Sequence, residues 1–203
     1  TLRAASVDAQ SASDTARTGT NDEEVKRMSQ IANVAVLPPT PGPLEIMSLD
    51  LGEPGPHDVI IKQWASGICH SQLHQMHAPR RGPEILGHES TGVVVATGRE
   101  VSHVKEGDTV LVTWVRRDAR SSDRLPTPST LTLPDGAIAR SRNVFTWADH
   151  TIVDEQYVVK TSPGIDREVT AIIGCAVMTG AGAVENTADV QRGNSVAVFG
   201  VGG

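Results

Sequence analysis

The sequence predicts a mainly β domain followed by the beginning of an α/β domain. From residue 31 onward, short apolar runs alternate with breaks rich in the chain's 19 glycines and 12 prolines, a pattern typical of short strands and tight turns. After Pro163 the apolar spacing becomes helical. A last apolar run then leads into Gly200-Val201-Gly202-Gly203, as at the start of a dinucleotide-binding βαβ unit. On this signal alone a plain glycine-rich turn is an equally good alternative.

The individual elements follow from the apolar runs and from the residues that interrupt them. Turns are predicted at 38–43, 52–56 and 106–108, where proline, glycine and aspartate favour chain reversal. The predicted strands are 31–37, 44–51, 58–64, 92–96, 109–115, 145–159 and 195–199. The predicted helices are 166–173 and 177–189.

The polar stretch from 116 to 143 is predicted to be a solvated loop. Charges of both signs are scattered along it, and such charges usually keep a surface hydrated. An anion-binding patch is the less favoured alternative. The charged residues concerned are Arg116, Arg117, Arg120, Arg124, Arg140 and Arg142, with Asp118, Asp123 and Asp135.

Three regions are expected along the chain. Residues 1–30 are predicted to be a disordered extension, because the first 27 have only Leu2, Val7 and Val25 as large apolar side chains. A mitochondrial presequence is a weak alternative, since the segment is too acidic. Residues 31–165 form the β domain. Residues 166–203 supply connecting helices, one strand and the glycine turn.

Charge and cysteine content argue against several classes of function. A formal charge of −6 without a run of basic residues disfavours nucleic-acid binding. No apolar stretch reaches the ~20 residues needed to span a bilayer, and no secretion signal opens the chain. We therefore expect a cytoplasmic protein without nucleic-acid or membrane partners. Two cysteines make no disulfide framework.

Cysteine and histidine residues are instead concentrated where metal chemistry is possible. Cys69 and His70 are followed by His74, then by His88 and Cys175. Two thiolates and one imidazole would suit a catalytic zinc ion with one open position. A buried, inert cysteine and a thiol nucleophile with His70 or His74 as its base remain open alternatives.

Five motifs, in order, make the sequence resemble the zinc-containing medium-chain alcohol dehydrogenases. They are Gly67-Ile68-Cys69-His70-Ser71-Gln72-Leu73-His74, Gly87-His88-Glu89, Gly107-Asp108-Thr109-Val110, Gly174-Cys175-Ala176-Val177-Met178-Thr179-Gly180, and Val196 to Gly203. The resemblance implies a GroES-like, partly open barrel followed by the first strand of an incomplete Rossmann domain.

The same resemblance implies a role for each matching residue. Cys69, His88 and Cys175 would bind one catalytic zinc, and Glu89 would be the acid beside it. Ser71 would take the proton of the alcohol, and His74 would pass it toward water. A surface or helix-capping role for His74 is the alternative.

The remaining matches concern the cofactor and the substrate pocket. His70 would contact a cofactor phosphate, and Thr179 the nicotinamide of NAD or NADP. Trp114 would line the pocket, with a core position as the alternative. Gly200, Gly202 and Gly203 would form the pyrophosphate turn. The implied reaction is reversible oxidation of a primary or secondary alcohol to an aldehyde or ketone.

Three departures from the family pattern qualify these expectations. Residues 115–160 contain no cysteine, so no structural zinc is expected, although the whole protein is expected to be a homo-oligomer. Gln72 stands where an aspartate commonly supports the zinc-bound histidine, which would weaken the site. The Rossmann domain is incomplete, so we expect a fragment that binds zinc and is inactive alone.

Two other functions stay open. A zinc-free quinone or enoyl reductase of the same superfamily would use the barrel without metal, but such relatives generally lack this Cys, His-Glu, Cys set. A non-catalytic interaction module would use the exposed edge of the strand at 195–199.

Overall fold

A computed structural model describes residues 30–118 and 124–200. Over these residues the chain forms ten strands and three short α-helices. The predicted disordered extension, apart from Gln30, lies outside the described residues, as do Gly202 and Gly203. None of the described helices is long and apolar enough to cross a bilayer.

The elements follow one another with short connections. The strands are β1 (Ile31–Leu37), β2 (Glu45–Asp50), β3 (Asp58–Ser66), β4 (Glu84–Ile85), β5 (Ser90–Thr97), β6 (Thr109–Val112), β7 (Thr130–Thr132), β8 (Ile138–Arg140), β9 (His150–Asp154) and β10 (Val158–Lys160). The α-helices are α1 (His70–His77), α2 (Arg167–Thr170) and α3 (Met178–Gly182). A 3₁₀ turn spans Glu155–Tyr157, and π-helical turns at Ile173–Val177 and Ala183–Thr187 flank α3.

The strands make two five-stranded sheets that curl into a half-barrel. Their orders are β2-β1-β4-β8-β7 and β10-β6-β5-β3-β9. Neighbours pair antiparallel, except β4 with β8. The pairing of β3 with β5 is irregular between Gln63 and Ala65, and such irregularities bend a strand. The bend lies just before the segment that carries Cys69.

Two apolar clusters form the core, and both depend on alternation along the strands. In β1, Val34 and Val36 point inward and pack with Ile85 and Phe145, all at most 1% exposed. The second cluster lies in the other sheet and contains Val59, Val94, Val110, Val112 and Val153. Phe145 is the largest fully buried side chain. It therefore anchors the segment that leads from β8 to β9 beside the candidate site.

The structure confirms most of the predicted strands of the β domain. The strand predicted at 31–37 has the predicted bounds, and those at 44–51, 58–64, 92–96 and 109–115 differ at their ends by one to three residues. The run predicted at 145–159 is interrupted. Residues 145–149 precede β9, and a 3₁₀ turn separates β9 from β10. The helix α1 and the two-residue strand β4 were not predicted.

The prediction that 116–143 is entirely a solvated loop is wrong for its second half. Strands β7 and β8 form an antiparallel hairpin there, with Leu131 paired opposite Ala139. Both side chains are buried in the first core cluster. Each strand has only three residues and one buried side chain, so the apolar alternation was too short to be recognised.

Beyond Pro163 the structure agrees with the helical pattern but not with the final strand. Asp166 caps α2 by accepting hydrogen bonds from the backbone NH groups of Glu168 and Val169 at 3.0 and 2.9 Å. Residues 195–199 form no strand, and Phe199 is 95% exposed. Among the described residues no neighbouring strand is available to pair with this segment, and an unpaired strand has no ladder to stabilise it. The hypothesis of an interaction module relied on an exposed strand edge at 195–199, and the structure does not contain that strand.

Helix α2 is attached to the second sheet by two contacts. The guanidinium of Arg167 lies 3.9 Å from the centre of the Trp64 ring in β3, a cation–π contact. The hydroxyl of Thr91 in β5 donates to the carbonyl of Arg167 at 2.7 Å. These contacts hold the start of the C-terminal segment, and with it Cys175, against the barrel.

A buried ion pair at the far end of β9 is expected to make stability depend on acid pH. Asp154 is 2% exposed, and its carboxylate accepts two hydrogen bonds from Arg124. Burial alone would raise the pKa of Asp154, but the hydrogen bonds from Arg124 and from the backbone NH of Gln156 outweigh it and lower the pKa. The unfolded chain therefore binds this proton more readily, so the stabilisation is present above pH ~4 and disappears as the pH falls through the folded pKa.

We expect Asp154→Asn to lower the free energy of unfolding at pH 7 by about 1–3 kcal/mol. The difference from the unmodified chain should shrink below pH ~4, where the native carboxyl is protonated as well. Urea unfolding, monitored by circular dichroism at a series of pH values, measures the free energy of unfolding of the two chains. Glu106→Gln removes an exposed carboxylate and is the control. A pH-independent difference for Asp154→Asn would contradict the assignment.

Candidate active site and metal centre

The three residues predicted as metal ligands meet at one point. Cys69 precedes α1, His88 follows β4, and Cys175 lies in the π-helical turn before α3. One thiol or imidazole atom from each lies within 4.8 Å of the other two. The Sγ atoms of Cys69 and Cys175 are 3.9 Å apart, although 106 positions separate the residues.

Cys69 is positioned by the start of α1. It is the N-cap residue, with extended backbone angles of φ −93° and ψ 146°. Its backbone NH donates to Oε1 of Gln72 at 3.2 Å, and its carbonyl accepts from the backbone NH of Gln72 at 3.0 Å. These local bonds fix the turn, so the thiol of Cys69 is held at the end of the helix.

His88 is positioned by the glycine that precedes it. Gly87 has φ +96° and is buried against the next segment. A Cβ atom there would lie 2.4 Å from Oγ1 of Thr146 and 2.7 Å from the backbone nitrogen of Trp147. Only glycine combines this backbone angle with so close an approach. Packing therefore requires a glycine at position 87, and this glycine sets the position of His88.

Cys175 reaches the cluster because its neighbour packs directly on β6. A Cβ atom at Gly174 would lie 2.7 Å from the carbonyl oxygen of Val112. The buried hydroxyl of Thr113 donates to the carbonyl of Gly174 at 2.7 Å. The π-helical turn is thus held against the end of β6, and its thiol faces Cys69.

This donor set fits a tetrahedral zinc ion. Zn–S distances of about 2.3 Å at a tetrahedral angle place two sulfur atoms about 3.8 Å apart, close to the 3.9 Å between Cys69 and Cys175. Nε2 of His88 is buried and has no hydrogen-bond partner among the described residues. A buried nitrogen without a partner is costly in free energy unless it binds something. Three protein ligands would leave a fourth position open.

The electrostatics of the cluster also favour a bound cation. Burial, together with the neighbouring charges of Cys69 and Glu89, raises the pKa of the Cys175 thiol to about 11. Burial would also raise the pKa of Cys69, but hydrogen bonds with Ser71 outweigh it and lower that pKa. Burial lowers the pKa of His88, which favours the neutral imidazole. Two thiolates so close together repel, and a divalent cation between them would remove that penalty.

A cavity of about 330 Å³ opens above the three ligands. Ser71, the predicted proton acceptor, and Trp114, the predicted pocket aromatic, both line it. Trp114 is 46% exposed, so the alternative of a core position is wrong. The walls are otherwise partly apolar, with Ile85, Leu86 and Val144. The cavity can hold a small organic molecule against the open side of the ligand cluster.

Glu89 lies behind the cluster rather than in the cavity. Its side chain is 2% exposed, and Oε2 accepts from the backbone NH of Ala176 at 3.4 Å. Burial raises its pKa, and the hydrogen bonds from Ala176 and Cys175 only partly offset this. The backbone carbonyl of Glu89 accepts from Gly67, Ser66 and Thr146. The residue after His88 is therefore held firmly in place.

The other predicted site residues that the structure describes are exposed and outside the cavity lining. The rings of His70 and His74, on α1, meet edge to face with centroids 5.1 Å apart. Thr179 is exposed on α3, and Gly200 has φ +89° at the end of the described chain. None of these four lines the cavity.

Comparison with known proteins identifies the family. The sequence profile of the alcohol dehydrogenase GroES-like domain matches residues 55–163, more than half of the chain. The chain belongs to the zinc-containing medium-chain alcohol dehydrogenase family. The sequence resemblance and the GroES-like fold that it implied are thereby confirmed.

Curated members of the family extend the match over most of the chain. An S-(hydroxymethyl)glutathione dehydrogenase from Photobacterium damsela subsp. piscicida is 33% identical over 79% of this chain and 50% of the relative. One from Escherichia coli is 34% identical over the same shares. The chain therefore spans about half the length of these relatives.

A solved structure supports the fold. The alcohol dehydrogenase zinc-binding domain protein from Burkholderia ambifaria superposes with a TM-score of 0.72 and 24% identity, over 82% of this chain and 51% of that one. At this identity the likeness concerns the fold alone.

The sequence reasoning missed several residues of the cavity, among them two polar ones. Arg142 and Asn143 line the cavity from the segment after β8, within the stretch predicted to be a solvated loop. No periodic or motif signal marks them, because their position depends on the path of the chain across the sheet. Their charge and polarity were visible in the sequence, but their proximity to Cys69 was not.

Proposed function

We propose that the protein is a zinc-dependent dehydrogenase that interconverts a primary or secondary alcohol with its aldehyde or ketone, using NAD or NADP. The observation that carries the proposal is the convergence of Cys69, His88 and Cys175 at the base of an open cavity. A zinc-free reductase would not account for two partly buried thiols that face each other beside a buried imidazole nitrogen without a partner among the described residues.

The roles of the residues follow from their places around the cavity. Cys69, His88 and Cys175 would hold zinc, which when bound supplies Lewis-acid chemistry that eases loss of the alcohol proton. The hydroxyl of Ser71 lines the cavity beside Cys69 and would accept that proton. Trp114 would pack on the carbon chain of the substrate. Glu89, buried behind the ligands, would position the loop of His88 and assist exchange at the open position.

The proton would leave along α1. His74 follows Ser71 by three positions, so both lie near one face of the helix. Its ring is exposed and contacts His70, which makes it a suitable outer group for transfer to water. His70, Thr179 and the glycine turn at 200–203 would contact the cofactor. Among the described residues no parallel sheet is present to hold a dinucleotide, so we propose that hydride transfer requires a further domain.

The first experiment tests the open ligand position without the cofactor. Cobalt(II) would replace zinc in the purified chain, and the visible absorption of the cobalt site would be recorded while ethanol, benzyl alcohol or propan-2-ol is added. We expect thiolate-to-cobalt absorption that changes when alcohol binds. A cobalt spectrum unaffected by every alcohol would count against the proposal.

Assays for NADH and NADPH formation complete the test. The zinc-loaded chain alone is expected to show no steady turnover, whereas a fusion to the C-terminal half of the Photobacterium relative should oxidise alcohols. In that fusion Ser71→Ala should lower kcat by about 10²-fold, the usual contribution of a positioned proton acceptor.

We further propose that the protein is cytoplasmic, since a reducing compartment would keep Cys69 and Cys175 available for metal. We also propose that it is a homo-oligomer.

A further inference from the structure

We propose that Arg142 selects substrates that carry an anionic group at the end away from the reacting alcohol or aldehyde. The inference rests on the proposed function and names the substrate class of the same cavity. Its first support is the composition of the lining. Among the described residues that line the cavity, Arg142 is the one with a full positive charge, and no carboxylate is present there.

The backbone on both sides of Arg142 is held in place. The NH of Ser141 donates to the carbonyl of Ser129 at 3.0 Å, and the NH of Ser129 donates to the carbonyl of Asn143 at 3.2 Å. The buried hydroxyl of Ser141 adds a bond to the same Ser129 carbonyl at 2.9 Å. The backbone of Arg142 is therefore held in a fixed position where the residue lines the cavity, as a specificity residue requires.

The guanidinium of Arg142 has no partner of its own. No carboxylate of the described chain forms an ion pair with it. Its neighbour Asn143 differs, because its side chain donates to the carbonyl of Trp114 at 3.4 Å. The N–H donors of the Arg142 guanidinium are thus not engaged by a carboxylate of the described chain, and they can bind a ligand oxyanion.

A second arginine, Arg116, lies in the wall of an adjoining cavity. Trp114 and Asn143 also line this open cavity, which has a volume of about 590 Å³. Arg116, like Arg142, has no ion-pair partner among the described residues. The neighbouring cavities thus carry two guanidinium groups in a chain whose formal charge is −6.

These positions define the ligand chemically. The reacting hydroxyl would lie at the Cys69, His88 and Cys175 cluster, and an apolar chain would lie along Ile85, Leu86 and Val144. The far end would be a carboxylate or a phosphate, since both accept paired hydrogen bonds from a guanidinium. A neutral alcohol of equal length would fill the same volume but leave Arg142 unpaired.

Binding to the zinc-loaded chain tests the proposal without turnover. The probes are 6-hydroxyhexanoate and the neutral diol of equal length, titrated by calorimetry at low and high KCl after elemental analysis has verified zinc loading. We expect the acid to bind about tenfold more tightly than the diol, the typical effect of one charge-assisted hydrogen bond. The preference should weaken as salt is added. A hydroxyalkyl phosphate of the same length shows which oxyanion is preferred.

Three variants make the result specific. Arg142→Gln should reduce the preference for the acid to near unity and leave diol binding unchanged, whereas Arg142→Lys should retain part of it. Arg140→Gln, which removes an exposed charge two residues away, should behave like the unmodified chain.

Two results would overturn the proposal. Equal binding of acid and diol to the unmodified chain, or a preference that survives Arg142→Gln, would refute the role of Arg142 while leaving the dehydrogenase proposal standing. Failure of both the acid and the diol to bind the zinc-loaded chain would contradict both proposals.

Discussion

Replacing either thiol of the cluster by serine is expected to abolish zinc binding. The unmodified chain should contain about one zinc per molecule, and Cys69→Ser and Cys175→Ser should contain almost none. A serine hydroxyl does not ionise at neutral pH, so one of the two positive charges of the metal would lose its compensating thiolate. Only one thiolate and His88 would then remain of a ligand set whose atoms lie within 4.8 Å.

Elemental analysis after dialysis against excess zinc measures this effect. Thermal unfolding gives an independent readout, because a ligand that binds only the folded state raises its stability. Zinc should raise the Tm of the unmodified chain and leave both variants unchanged. His77→Ala removes an exposed histidine at the end of α1 and should keep its zinc. A serine variant that retains one equivalent would show that the metal binds elsewhere.

Replacing Gln72 by glutamate is expected to strengthen zinc binding by about 10 to 100-fold. Nε2 of Gln72 lies 2.5 Å from Nδ1 of His88, and its Oε1 accepts from the backbone NH of Cys69. A histidine that binds metal through Nε2 carries its proton on Nδ1 and needs an acceptor there. The amide nitrogen is a donor, so Gln72 favours the opposite tautomer. Turning the amide around would give up the bond to Cys69.

A glutamate of the same length would satisfy both donors with its two oxygens. Competition with a chromophoric chelator measures the affinity for zinc. Leu73→Glu adds a negative charge on the exposed side of the same helix and should change the affinity little, which separates a direct hydrogen bond from a general charge effect. An increase of equal size in the two variants would contradict the explanation. Gln72→Ala should bind no more tightly than the unmodified chain.

The path of the chain explains why some elements were recognised in the sequence and others were not. The strand at 31–37 has seven residues and clear alternation, so local pattern alone locates it. Strands β7 and β8 have three residues each and depend on pairing with one another. The predicted strand at 195–199 is apolar enough to be one, but strand formation requires a partner that the described residues do not provide.

The sequence alone identified the family, and its short motifs pointed to Cys69, His88 and Cys175 as candidate ligands with Ser71 two residues after the first, because those motifs occur in a set order. Only the tertiary structure decided what lies next to what. It brings thiols 106 positions apart to 3.9 Å, places Arg142 in the cavity and leaves His74 outside it. The reason is physical. Local hydrogen bonds and apolar periodicity involve residues a few positions apart, so they can be recognised in the sequence. Contacts across the sheets depend instead on how β3, β6 and the segment before β9 pack around a shared core.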